Sequence, residues 1–232
     1  MGEPLHHPQL LKMIEKILSY KGLSVFIETD GLLITDSFCE ELGKTVNNAD
    51  ERNNGWQKIM IAVVLDAFSA NTYVKLHKGN KNEDFCTAVN AISKLQSVIP
   101  GSVYPQFTRM NDNEDELEGF YRYWNEKTNP SGGNLIIQKY DDFAGLLPPC
   151  KPADLSPLER NPCWHTRRDM NILSNGDVIS CRECVLSNVV GNVFKESLEE
   201  VWHKNDDILV QHIGRKYNEL CGKCDESYTY NF

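Results

Sequence analysis

Five of the chain's eight cysteines, Cys163, Cys181, Cys184, Cys221 and Cys224, fall within one 62-residue stretch, with the spacing C-x17-C-x2-C-x36-C-x2-C. A CxxC turn aims two sulfurs at one centre, and two more cysteines from elsewhere complete a four-thiolate site for structural zinc or an iron–sulfur cluster. The last third of the chain therefore has to fold around such a centre, and the spacing alone leaves zinc and iron–sulfur open. Five thiols for four positions leave one over, and Cys184 is taken as the alternate. Cys39 and Cys86 fall on helical apolar stripes and read as small buried hydrophobes. Cys150, beside Pro148-Pro149, is left open.

Composition narrows the setting. With 24 Lys+Arg against 33 Asp+Glu in 232 residues, the net charge is −9, which excludes the basic face a nucleic-acid binder needs. The longest apolar run, IMIAVVL at 59–65, is strand-sized, so no membrane span is expected. MGEPLHHPQL lacks the layout of a secretory leader. Thiols clustered without such a leader point to metal or redox chemistry rather than disulfides, and to a cytoplasmic protein.

The first 140 residues alternate between helical and strand periods. Helices are predicted over 8–18, from a capping box Ser37-x-x-Glu40, over 69–78, 83–98 and 112–126. Strands are predicted at LSVFIET (23–29), KIMIAVVL (58–65), VYPQFTRM (103–110) and NLIIQKY (134–140). This order implies a parallel sheet with helices packed outside, and 58–65 reads as a strand buried on both faces. In such sheets ligands bind at the strands' C-terminal ends, where Thr29-Asp30-Gly31, Asp66, Arg109 and Asp141-Asp142 fall. Residues 145–162 hold five of the ten prolines and mark the boundary between domains at 1–147 and 148–232. Beyond it, NILSNGDVIS (171–180) reads as a hairpin turning at Asn175-Gly176, and Ser197-x-x-Glu200 caps a short helix.

The C-terminal pattern, Cys163…NGDVISC…GNVFKESLEEVW…CGKC, resembles the SPASM/twitch auxiliary-cluster domain that accompanies radical S-adenosylmethionine (SAM) enzymes. The resemblance spans about 70 residues: Cys163, Gly176-x4-Cys181, Gly191 to Trp202 and the closing Cys221-x2-Cys224 stand in the family's order. It implies an auxiliary [4Fe–4S] cluster on Cys163, Cys181, Cys221 and Cys224, with Cys184 as alternate and zinc as the competing metal. The N-terminal part is similar to a radical SAM (β/α) barrel entered part-way. Gly2-Glu3-Pro4 resembles the GGEP motif, IETDG with Thr29 and Asp30 the third-strand TNG element, and VVLDAFSANTY with Asp66 the fourth-strand segment. These residues are the implied SAM contacts. The expected architecture is thus α/β: an incomplete radical SAM partial barrel followed by a small Cys-rich α+β SPASM domain.

The CxxxCxxC segment that holds the SAM-cleaving cluster is not in this sequence, so the chain alone cannot cleave SAM and is expected to be part of a longer protein. Val64 stands where many relatives place a SAM-contacting Ser, His77 where an Arg often reaches the SAM carboxylate, and Arg182 where the sulfatase-maturing branch has its catalytic Asp. The resemblance implies a parent that modifies a peptide or protein with a 5′-deoxyadenosyl radical, using SAM and an electron donor such as flavodoxin or ferredoxin. The alternative is a non-catalytic binding module with a degenerate barrel and a structural zinc. His165 is read as exposed, Trp164 and Trp202 as packed near the cluster loops, and Arg182 as a surface salt-bridge partner, with an anionic substrate as its alternative. Arg109, at a strand end, is left open between binding a carboxylate and a salt bridge.

Overall fold

The computed structural model describes residues 2–53, 55–152, 160–184 and 189–224, with the Cys184 side chain outside the description. It divides into two compact units, Met1–Tyr140 and Asp141–Phe232.

In the first unit the elements run α1 (Leu10–Leu18), β1 (Val25–Thr29), α2 (Asp36–Asn48), β2 (Ile59–Val64), α3 (Ala70–Leu76), α4 (Asn82–Val98), β3 (Val103–Arg109), α5 (Leu117–Trp124) and β4 (Ile136–Lys139). The four strands form one parallel sheet in the order β1-β2-β3-β4, with Ile27 opposite Ile61, Ile61 opposite Val103 and Phe107 opposite Ile137. Chain order and spatial order coincide, so the sheet has no point where the winding reverses.

Strand pleating puts alternate side chains on opposite faces. Val25 and Ile27 of β1, Ile59, Ile61 and Val63 of β2, and Val103 and Phe107 of β3 share a core with Ile14, Leu18, Leu42, Ile92, Leu95 and Phe120 of the helices. Each such side chain, fully buried, stabilises the fold by about 1.5–3 kcal/mol. The other face of β1 carries Phe26, 51% exposed, and Glu28; Met60 and Val64 of β2 are only half-buried there. Between them Ala62 is fully buried, so β2 is shielded on both faces as expected, but helices pack on only one face of this sheet.

Two polar side chains fix the turns of this unit. The guanidinium of Arg52, 4% exposed, donates to the carbonyls of Leu18, Tyr20, Leu23 and Asp50, tying off the end of α1 and the turn into β1. Such a fork satisfies carbonyls that a helix end leaves open. The carboxylate of Glu116 accepts from the Phe68 and Ser69 amides and from the Ser69 and Thr72 hydroxyls, anchoring the start of α3.

Several local expectations shift. The N-cap of α2 is Thr35, whose hydroxyl accepts from the Phe38 amide, and Ser37 lies inside the helix. Cys39 is buried in the core, whereas Cys86 is exposed: the buried stripe of α4 runs through Ala88, Ala91, Ile92 and Leu95. The helix expected at 112–126 is a 3-10 turn at Glu114–Glu116 followed by α5.

The second unit holds α6 (His165–Arg168), a three-stranded antiparallel sheet of β5 (Asn171–Ile172), β6 (Asp177–Ile179) and β7 (Val189–Asn192), then α7 (Leu198–His203), α8 (Asp206–Ile213) and α9 (Glu219–Lys223). Among the described residues no helix is long and apolar enough to cross a membrane.

Burial pushes the Glu116 carboxyl up, but its four hydrogen bonds outweigh that and leave its pKa below the ordinary 4.5. A carboxylate depressed in the fold stabilises it above its unfolded pKa, and that contribution is lost as pH falls through the folded value. Glu116→Gln is therefore expected to cost about 1–3 kcal/mol at pH 7. The difference from the native protein should shrink as both are acidified below about pH 4, measured by urea unfolding across pH.

Candidate metal centre

In the second unit Cys163, Cys181, Cys221 and Cys224 line one cavity. The cavity has a volume of about 30 Å3. Cys224 is buried and the other three are half-buried. Ile208, Leu220, Tyr217 and the ring of His212 supply much of the remaining wall.

Each cysteine arrives by a locally explicable route. Cys163 sits just ahead of α6; its carbonyl accepts from the Thr166 hydroxyl at 2.8 Å, and its amide donates to His212 Nδ1 at 3.4 Å. Cys181 follows β6, one residue after Ser180, whose carbonyl accepts from the Asn205 side chain. The preceding turn closes with Gly176 amide to Leu173 carbonyl at 2.9 Å, and Gly176 holds φ +82°. Asn175 has no positive φ, so this is a wider hairpin than the two-residue turn its Asn-Gly pair suggests. A side chain at 176 would also collide with the Phe194 ring. Asn192 ties the hairpin to β7 by donating to Asp177 Oδ1 at 2.9 Å, and Ser197 and Glu200 form the expected capping box of α7.

Cys221 and Cys224 belong to the short helix α9 and its end. Asn218 caps it, accepting from the Cys221 amide at 2.7 Å. At the other end the Arg160 guanidinium donates to the carbonyls of Cys221, Gly222 and Cys224. Arg160 also lies 5.0 Å over the Tyr217 ring, which stands 4.9 Å from the His212 ring. The closing CxxC is thus held by a cation bonded to three of its carbonyls.

Sequence reasoning missed Arg160, His212 and Tyr217. Arg160 lies 61 residues from Cys221, a separation no local pattern reports. His165, expected exposed, is buried at 7% and bonds Asp169 Oδ2 through Nδ1 at 2.5 Å. Burial raises the Asp169 carboxyl, but Arg168 and His165 together hold it below its usual range. Trp164, expected to pack, is half exposed, and Trp202 is half-buried. Burial, and then Arg160, push the His212 pKa below its ordinary value, so the ring is neutral near pH 7. Arg182 is bonded to Asp141 and Glu183. Cys184 ends the 3-10 turn Arg182–Cys184, and its expected role as alternate ligand lies outside the described side chains.

The donor chemistry fits a thiolate-bound centre. Four cysteines from separated parts of the chain line one cavity, together with apolar Ile208 and Leu220 and the buried polar residues His165, Ser180 and Glu183. A four-thiolate donor set suits soft metals and iron–sulfur clusters. Among the described residues, no three His, Cys, Asp or Glu side chains stand close enough to hold a single ion.

In the first unit Gly2, Glu3, Pro4, Thr29 and Asp30 line a cleft of about 850 Å3, along with Val64 and His77. Glu3 organises it: Oε1 accepts from the Thr29 hydroxyl at 2.8 Å and the Leu5 amide at 3.0 Å, and Oε2 from the Asp30 amide at 3.0 Å. Asp30 Oδ1 in turn accepts from the Leu32 amide, closing a turn through Gly31. Gly31 has φ +78°, and a Cβ there would meet Val63 at 3.0 Å. Burial, reinforced by the neighbouring Glu3, raises the Asp30 pKa.

Asp66 is not in the cleft wall itself, but its Oδ2 stands 3.7 Å from Nε2 of His77, which is. Asp66 follows β2 at φ 53°, and its Oδ1 accepts from the Thr108 amide at 2.7 Å. Burial raises its pKa. His77 stacks on Tyr73 at 4.5 Å and places Nε2 3.2 Å from the Leu65 carbonyl. Arg109 pairs with Glu114 at 2.6 Å.

The second unit is a small cysteine-rich domain in which four cysteines line one cavity. Residues 163–225 match the SPASM family, an iron-sulfur cluster-binding domain, and this segment is a SPASM domain. An uncharacterized protein of Treponema pallidum (strain Nichols) is 41% identical over 237 residues, covering 100% of this chain and 64% of the relative. The chain therefore spans less than two thirds of that curated relative. No solved structure matches it.

The Arg160 fork yields a direct expectation. Arg160→Lys keeps the charge but cannot reach three carbonyls with one planar group. Iron retained after desalting should fall severalfold relative to the native protein, with little change in the helical circular dichroism of the first unit. Full retention of iron would show that the CxxC loop does not need this clamp.

Proposed function

We propose that this chain is the C-terminal portion of a radical SAM/SPASM enzyme, and that Cys163, Cys181, Cys221 and Cys224 hold one auxiliary [4Fe–4S] cluster. The observation that carries the reading is the meeting of these four cysteines in one cavity, inside the segment that matches the SPASM family. When bound, such a cluster supplies a one-electron centre or an iron at which substrate can be anchored. The protein's part is to deliver four thiolates, to limit water with Ile208, Leu220 and Tyr217, and to hold the loops with Arg160, Asn218 and Thr166.

The first unit is proposed as part of a radical SAM (β/α) barrel wall. Consecutive parallel strands with helices on one face form such a wall, whereas a doubly wound sheet reverses its order and is covered on both faces. Glu3, Thr29 and Asp30 stand at the C-terminal end of β1, where barrel enzymes bind their ligands. The SAM contacts proposed there are Gly2, Glu3, Pro4, Thr29 and Asp30; Asp66 would act through the backbone of β3 instead. Domain limits of 1–147 and 148–232, a cytoplasmic setting, a peptide or protein substrate, and flavodoxin or ferredoxin as electron donor belong to the same proposal.

A second reading has its own observation. His77, which takes the place of a carboxylate-binding Arg, spends its Nε2 on the Leu65 carbonyl. That favours a degenerate barrel serving as a binding module, with zinc in the cysteine site.

Protein purified without oxygen decides between them. About four iron and four acid-labile sulfide per chain are expected, with visible absorption that bleaches on reduction. Cys221→Ala should lose both and Cys184→Ala should keep them. About one zinc and no sulfide would replace the first reading with the second.

A further inference from the structure

We propose that His212 is a positioning and tuning residue of this centre: its Nε2–H donates a hydrogen bond to a sulfur of the bound cluster, raising the cluster's reduction potential. The proposal rests on the auxiliary-cluster reading and assigns a role to a residue outside the cysteine pattern.

The argument begins with the ring's two nitrogens. His212 lies on α8 with 2% of its surface exposed, and its ring lines the four-cysteine cavity. Nδ1 accepts the Cys163 amide at 3.4 Å, so its lone pair is in use and the proton of the neutral ring sits on Nε2. That Nε2 is buried and has no hydrogen-bond partner among the described residues. Buried donors are seldom left unmade, and each exception calls for a missing acceptor. The acceptors a thiolate-held cluster brings into this cavity are its sulfides and cysteine sulfurs. Donors to these sulfurs stabilise the more negative, reduced state and raise the potential.

The ring is also held in place. Tyr217 stands 4.9 Å from it, and the Arg160 guanidinium covers the far side of Tyr217 at 5.0 Å while bonding the carbonyls of the closing CxxC. One chain of contacts therefore runs from the amide of Cys163, through His212, Tyr217 and Arg160, to the loop of Cys221 and Cys224. The imidazole touches the first cysteine segment directly and the second through Tyr217 and Arg160.

Two measurements on the full, iron-loaded chain test this. In the first, His212→Phe keeps an aromatic ring but removes the donor, and His212→Gln restores an N–H. For equal iron content, the Phe variant should lower the potential enough to shift the oxidised-to-reduced ratio about tenfold at a fixed poise, about 59 mV for one electron. The Gln variant should recover most of that shift. A Phe potential equal to the native one, or a Gln potential equal to the Phe one, overturns the proposal.

The second measurement compares the native chain with His212→Phe, because His165 also lines the cavity. Pulsed electron paramagnetic resonance of the reduced native chain, labelled with 15N-histidine, should show a weakly coupled histidine nitrogen that the His212→Phe chain lacks. A strong coupling would mean that His212 ligates iron directly, and no coupling would mean no contact; either overturns the proposal. A loaded cluster lacking the coupling removes this inference alone. Zinc in place of iron removes the cluster reading with it.

Discussion

The arrangement of the second unit turns on four cysteines that share one small, mostly buried cavity. Thiolates brought together in a low-dielectric wall repel one another and lose hydration, so their shared cavity is stable in the charged form only around a cation that binds them all. The unit has a small apolar core to set against this, since Val178, Ile179 and Val201 are its buried aliphatic residues among those described. Metal binding and folding are coupled in such domains, because the unfolded chain offers no preformed site. The scaffold around the thiols follows from that need: Asn218, Thr166, Asn205 and Arg160 all fix backbone beside a cysteine, and each does so through main-chain atoms.

The first unit obeys a different constraint. Its helices cover one face of a singly wound parallel sheet, and the opposite face keeps polar character through the hydrogen bond of Gln106 to Glu28. A sheet of this kind leaves a face and a C-terminal rim available for a ligand. The rim is held by carboxylates acting as acceptors of backbone and hydroxyl protons: Glu3 on Thr29 and Asp30, Asp66 on Thr108. Burial raises the pKa of Asp30 and Asp66, as befits acidic groups kept partly from water.

Much of this was legible from the residues because the signals were periodic or covalently close. The apolar runs of β1 to β4, the stripe of α1 and the Ser197 capping box each declare themselves within a few residues. The cysteine spacing singled out four residues that line one cavity. What was not legible came from distant partners or marginal phase. Arg160 sits in a proline-rich stretch and shows its purpose only when the CGKC loop folds back upon it. His212 lies in a short helix whose neighbours Val210 and Ile213 are exposed, so no stripe marks its inward face. Cys86 failed as a core residue because α4 turns its small residues, Ala88 and Ala91, toward the sheet instead. Thr35 displaced Ser37 as a cap because the chain leaves its extended conformation two residues earlier than the capping-box pattern implied.

The central claim is that four cysteines of one cavity hold a four-iron cluster. Mössbauer spectroscopy of the anaerobically purified chain, loaded with 57Fe, tests it most directly because it reports every iron in the sample. The expected spectrum is that of irons each in tetrahedral sulfur coordination and coupled in delocalised pairs, lost together in the Cys163→Ala protein. A single uncoupled iron site, or a spectrum that persists unchanged when Cys163 is removed, would contradict the account.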